Sequence, residues 1–79
     1  MKQQVKVWLQ KDSFGTFFIW GTCFLVNGQI PNKPYTKKEL EFKELENLQN
    51  KPLNILMRQI KREALRLSLE PIIKIERVV

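Results

Sequence analysis

Residues 16–28 read TFFIWGTCFLVNG. Aromatic and β-branched residues crowd the stretch from Thr16 to Val26, which is strand composition. Asn27-Gly28 follows at once and is the strongest short hairpin signal in the chain, because a type I′ turn needs positive φ at both central residues. Under strict alternation Phe18, Trp20, Phe24 and Val26 share one face, while Phe17, Ile19, Cys23 and Leu25 share the other. Both faces are then apolar, which predicts the central strand of a sheet. Gly21 in its middle predicts a bulge or a close backbone approach.

Upstream, Val5, Val7 and Leu9 alternate with Gln4, Lys6 and Gln10, the period-two pattern of a half-buried strand, with Trp8 interrupting its polar side. Lys11-Asp12-Ser13, with Gly15 close behind, predicts that this strand folds back onto the next. Downstream of the Asn-Gly turn, Gln29-Ile30 offers a third strand that Pro31 and Pro34 keep short.

Thr36 has the chemistry of a helix N-cap. Glu39 stands where a capping box needs it, and Tyr35 and Leu40 stand where a hydrophobic staple would place them. A helix is expected from there to about Gln49, although Leu40 and Phe42 alternate as a strand would. Asn50-Lys51-Pro52 breaks the run, with Pro52 suited to the first turn of a new helix. From Leu53 to Leu69 the pattern is clean: Leu53, Leu56, Met57, Ile60, Ala64 and Leu67 form one stripe about 100° wide. Pro71 ends that helix, and the β-branched residues from Ile72 to Val79 predict a closing strand.

These elements predict a single domain over residues 1–79 of the α+β class. Its expected core is a small antiparallel sheet of three to four strands, built from the N-terminal hairpin and the C-terminal strand, with two helices packed on one face. A chain of 79 residues buries a limited share of its surface, so a partner or a second copy would add to a marginal stability.

Composition narrows the function. The chain has no histidine and a single cysteine, Cys23, which removes the commonest general base, the usual zinc ligand sets and any internal disulfide. Cys23 is expected as a small buried hydrophobe. The three glycines, Gly15, Gly21 and Gly28, are too scattered to cradle a phosphate, and no P-loop or dinucleotide fingerprint can be written. No catalytic residue, metal site or cofactor is expected. Glu39, Glu41, Glu44 and Glu46 form the one carboxylate cluster and are expected to be a solvated face, with Glu39 pairing Lys43 at i+4. The apolar run from Phe14 to Val26 is interrupted and falls short of the roughly 20 residues needed to span a bilayer. No secretory cleavage pattern follows it, so the expected location is intracellular, in the cytoplasm.

What remains is charge. A formal charge of +6 is high for the length and makes polyanions natural partners. Arg58, Arg62 and Arg66 recur every four residues and so form one ridge, with Lys61 beside it. Guanidiniums on a rigid rod can contact neighbouring phosphates bidentately. Trp8 is a candidate stacking platform for an unpaired base. The expectation is a small basic, non-enzymatic protein that associates with DNA or RNA through backbone contacts made by Arg58, Lys61, Arg62 and Arg66, with Trp8 in support. The alternative is a regulatory protein–protein module, an adaptor, inhibitor or assembly subunit, or a homodimer. Ile55, Leu65 and Leu69 lie beside the arginines, an aliphatic and arginine surface of the kind protein interfaces favour.

Overall fold

A computed structural model describes residues 3–76; Lys2 and the Arg77–Val79 end of the expected last strand lie outside the described residues. The element order is β1 (Gln3–Lys11), β2 (Phe17–Val26), α1 (Lys37–Lys43), a 3₁₀ turn (Glu44–Asn47), α2 (Leu53–Arg66) and β3 (Glu70–Glu76). Among these residues the sheet has three strands in the order β2-β1-β3.

Two expectations about the sheet are corrected. The central strand is β1, not β2, and the sheet is mixed: β1 pairs antiparallel with β2 but parallel with β3. The chain folds back tightly after β1, then crosses through both helices before β3 returns in the direction of β1, and a parallel neighbour requires such a long crossover. The Asn-Gly turn forms as expected, with φ 53° at Asn27 and 80° at Gly28. Reciprocal backbone bonds join Val26 and Gln29, but pairing stops at that bridge, so among the described residues no fourth strand covers β2. A second bridge, from Phe17 to Lys51, closes the other end of the same edge.

The apolarity of β2 has another cause. Trp8 is opposite Gly21 whereas Leu9 is opposite Ile19, so Trp20 is an extra residue on β2 and the register shifts there. The bulge expected from Gly21 is present, and it reverses the alternation. Directly opposed residues share a face, so Ile19 joins Leu9, and Phe24 joins Val5, while Phe18, Gly21, Cys23 and Leu25 join Gln10, Trp8, Lys6 and Gln4. Ile19 and Phe24 are both buried. The faces assigned by unbroken alternation therefore hold only on either side of the bulge, not across it. Cys23 is half-buried beside Lys6, outside the buried core.

Val5, Val7, Leu9, Ile19 and Phe24 form one core with Phe42, Leu56, Ile60, Ala64 and Leu69. The predicted stripe of α2 is the buried one, since Leu53, Met57 and Leu67 pack against the same cluster. Thr36 caps α1, its Oγ1 accepting the Glu39 N–H at 3.2 Å. The capping box is not completed. Glu39 is buried instead, and its carboxyl accepts from the Gln3 side-chain amide at 3.3 Å. Tyr35 packs edge-on against Phe24, and Leu40 stays half exposed, so the expected staple is replaced by a contact with the sheet. The first helix also ends sooner than expected, tightening into the 3₁₀ turn after Lys43.

α2 stops in a Schellman motif. Ser68 takes φ 58°, its N–H bonds the Leu65 carbonyl at 3.1 Å, and the Leu69 N–H bonds the Ala64 carbonyl at 2.7 Å. The reversal aims Leu69 inward, where it is 5% exposed. The expectation that places Leu69 beside the arginines on an outer surface is corrected, because the helical wheel no longer applies beyond the cap.

Candidate functional site

Leu56, Ile60 and Ala64 turn one side of α2 into the core, which leaves Arg58, Lys61, Arg62, Leu65 and Arg66 exposed on the rest of it. The four cations are not equivalent. Arg66 donates from Nε to Glu63 at 3.0 Å, donates again from Nη2 to the same carboxylate, and reaches Glu41 of α1 at 2.5 Å. The Glu63 hydrogen bond comes first in raising the Arg66 pKa above its ordinary value, and the same contact holds Glu63 below the usual carboxylate range. Arg66 therefore spends its donors inside the chain. Among the described residues no ion pair or side-chain hydrogen bond engages Arg58, Lys61 or Arg62.

Trp8 occupies a different side of the molecule. It lies between Val7 and Leu9, which are fully buried in the core, and successive strand residues point to opposite faces. Trp8 thus stands across the sheet from the core to which α2 contributes, and the expected pairing of Trp8 with the arginine ridge in one site is not formed. Around it the register places Gln4, Lys6 and Gln10 on β1, Phe18, Gly21, Cys23 and Leu25 on β2, and Glu70, Ile72, Lys74 and Glu76 on β3. The Trp20 ring centroid lies 5.8 Å from that of Trp8 at an interplanar angle of 44°, and Lys6 Nζ lies 5.7 Å from the Trp8 ring. Gly21 packs under the indole, and a Cβ there would make an ordinary van der Waals contact, 3.7 Å from Trp8 Cε3.

Trp20 and Lys74 have no place in the expected site. A tryptophan next to a glycine in mid-strand is the available signal for Trp20, since a bulge re-aims the side chain it displaces. Lys74 carries no comparable signal, because its neighbour across the sheet depends on the parallel register of β3.

The carboxylate cluster disperses. Glu39 is buried against Gln3, Glu41 holds Arg66, and Glu46 accepts from Thr22 Oγ1 at 3.0 Å and pairs with Lys43 at 3.4 Å. Lys43 thus serves Glu46, not Glu39, and tethers the 3₁₀ turn to β2. Among the described residues no group of acidic, cysteine or histidine side chains has the arrangement to hold a metal ion. A shallow concavity of about 460 Å³ over α1 is lined by Lys37, Leu40, Glu41 and Glu44, and Glu41 is already committed to Arg66. Among the described residues no helix is long and apolar enough to cross a membrane.

No protein-family model, no curated protein and no solved structure matches the chain.

Proposed function

We propose that this protein is a small non-enzymatic domain that binds nucleic acid through its phosphate backbone. In this proposal both helices cover the Val5-Val7-Leu9 face of the sheet, and the cations of α2 face outward toward the ligand. One observation carries it: Arg58, Lys61 and Arg62 are exposed together on α2 without a carboxylate among the described residues, in a chain of net charge +6. Among the described residues Arg66 engages two carboxylates while its three neighbours on α2 engage none. Each phosphate neutralised contributes a slope of about −0.7 to −0.9 to the logarithm of affinity against the logarithm of salt.

The test is a salt titration of DNA and RNA binding by the wild-type chain and by the triple variant Arg58→Glu, Lys61→Glu, Arg62→Glu. Binding should weaken steeply with salt. The triple variant should lose at least tenfold in affinity and show a slope smaller by about two to three. Absence of retention at the lowest salt would end the proposal.

A second reading, a protein partner or a second copy of the chain, is favoured by the exposure of Leu65, 81%, and Ile55, 41%, beside those arginines. Leu69 has no part in it. Under this reading Leu65→Asp would abolish a stoichiometric complex or dimer while the domain stays folded.

A further inference from the structure

Resting on the nucleic-acid reading above, we infer that the outer face of the sheet, centred on Trp8 and Trp20, is a stacking site for unpaired bases, so that the protein prefers single strands to duplex. The two indoles are brought together by the bulge and by nothing else in the ladder, since Trp20 is the residue without a partner on β1. Trp20 remains 50% exposed. Aromatic side chains on a sheet surface are sequence-tolerant platforms for splayed bases, whereas the bases of a duplex are stacked on one another and present only their edges.

Charge selects the occupant. Trp8 has Lys6 against its ring and Lys74 beside it across the β1–β3 pairing, so two cations flank the indole where a backbone would pass between stacked bases. The acids of this face, Glu70 and Glu76, stand at its two ends, opposite Gln4 and Gln10. A second copy laid face to face would instead take Lys6, Lys74, Glu70 and Glu76 out of water together, and desolvating four charges is costly unless each finds a well-placed partner. A polyanion with planar bases meets both the rings and the cations.

The experiment titrates the full chain with a labelled thymidine oligonucleotide of about 12 nucleotides, within the span such sites cover, and with a duplex of equal length. Anisotropy reports affinity and tryptophan emission reports stacking. The single strand should bind about tenfold or more tightly than the duplex and quench the emission. Trp20→Ala should weaken single-strand binding by about 5- to 150-fold, the loss of one stacked base, with duplex binding unchanged. Trp20→Phe should restore most of it, and Lys74→Glu provides an independent loss should Trp20→Ala fail to fold. Equal affinity for strand and duplex, indifferent to Trp20, would overturn the stacking site and leave the phosphate-binding proposal intact. A wild-type dimer that Trp20→Ala converts to monomer would assign the face to a second copy and overturn it as well. No binding to either nucleic acid at low salt would remove both proposals together.

Discussion

Trp8 and Trp20 lie with ring centroids 5.8 Å apart although no ladder pairing joins them. The bulge brings them together, and it has a consequence for stability. Deleting Trp20 would leave Trp8 opposite Gly21 and Leu9 opposite Ile19 in an unbroken antiparallel ladder, with every core side chain still facing inward. The deletion variant should therefore fold cooperatively and lose no more than about 2 kcal/mol. Denaturant unfolding and hydrogen exchange of the β1 amides test this, and loss of protection throughout β1 would refute it.

Ser68 holds a left-handed conformation, φ 58°, that costs an L-residue about 1–2 kcal/mol and a glycine little. Part of that gain is offset by the greater freedom of glycine in the unfolded chain. Ser68→Gly should accordingly stabilise the domain by about 0.5–1 kcal/mol, raising Tm by several degrees for a chain of this size. A lower Tm would show that the Ser68 side chain matters more than its backbone.

Leu65 and Leu69 are separated by the same cap and by their burial, 81% against 5% exposed. Leu69→Ala should cost about 2–5 kcal/mol, as truncation in a core does. Leu65→Ala should stay within about 0.5 kcal/mol. Equal effects in urea unfolding would mean that α2 does not end as described.

Asp12 organises the β1–β2 turn. Its carboxylate accepts from the Thr16 hydroxyl, from the Phe14 N–H at 2.9 Å and from the Thr16 N–H at 3.0 Å. The Thr16 hydroxyl is the chief cause holding its pKa below the ordinary 3.8, as Arg66 holds Glu63 below 4.5. A depressed folded pKa means that the unfolded chain takes up protons first as pH falls. The stabilisation is complete above the ordinary values and is lost as pH falls through the lower, folded ones. The urea midpoint should be insensitive to these two groups above about pH 5 and decline below it. Asp12→Asn should start lower and decline less steeply. A parallel decline in wild type and variant would exclude Asp12 from the acid transition.

Local signals are legible along the chain. The Asn27-Gly28 turn, the Thr36 cap and the Leu53-to-Leu67 stripe each depend on residues within a few positions of one another, so short-range physics is enough to specify them. The bulge at Gly21 is legible for the same reason. The candidate cations on α2 are visible as a ridge, but not the difference between Arg66 and its neighbours, because Glu41 reaches Arg66 from another helix.

By itself the amino-acid sequence determined β1, β2 and β3, the turns, the inward stripe of α2 and the excess of positive charge, all through short-range sterics, hydrogen bonding and composition, while the expected Gln29-Ile30 strand is reduced to one bridge. Tertiary structure alone decided that β1 is central, that β3 runs parallel to it, that Leu69 is core, and that Trp8 meets Trp20 on a side of the sheet away from the arginines. Those outcomes rest on contacts between residues far apart in the chain, where the return path of the backbone and one unpaired residue in β2 choose which side chains become neighbours.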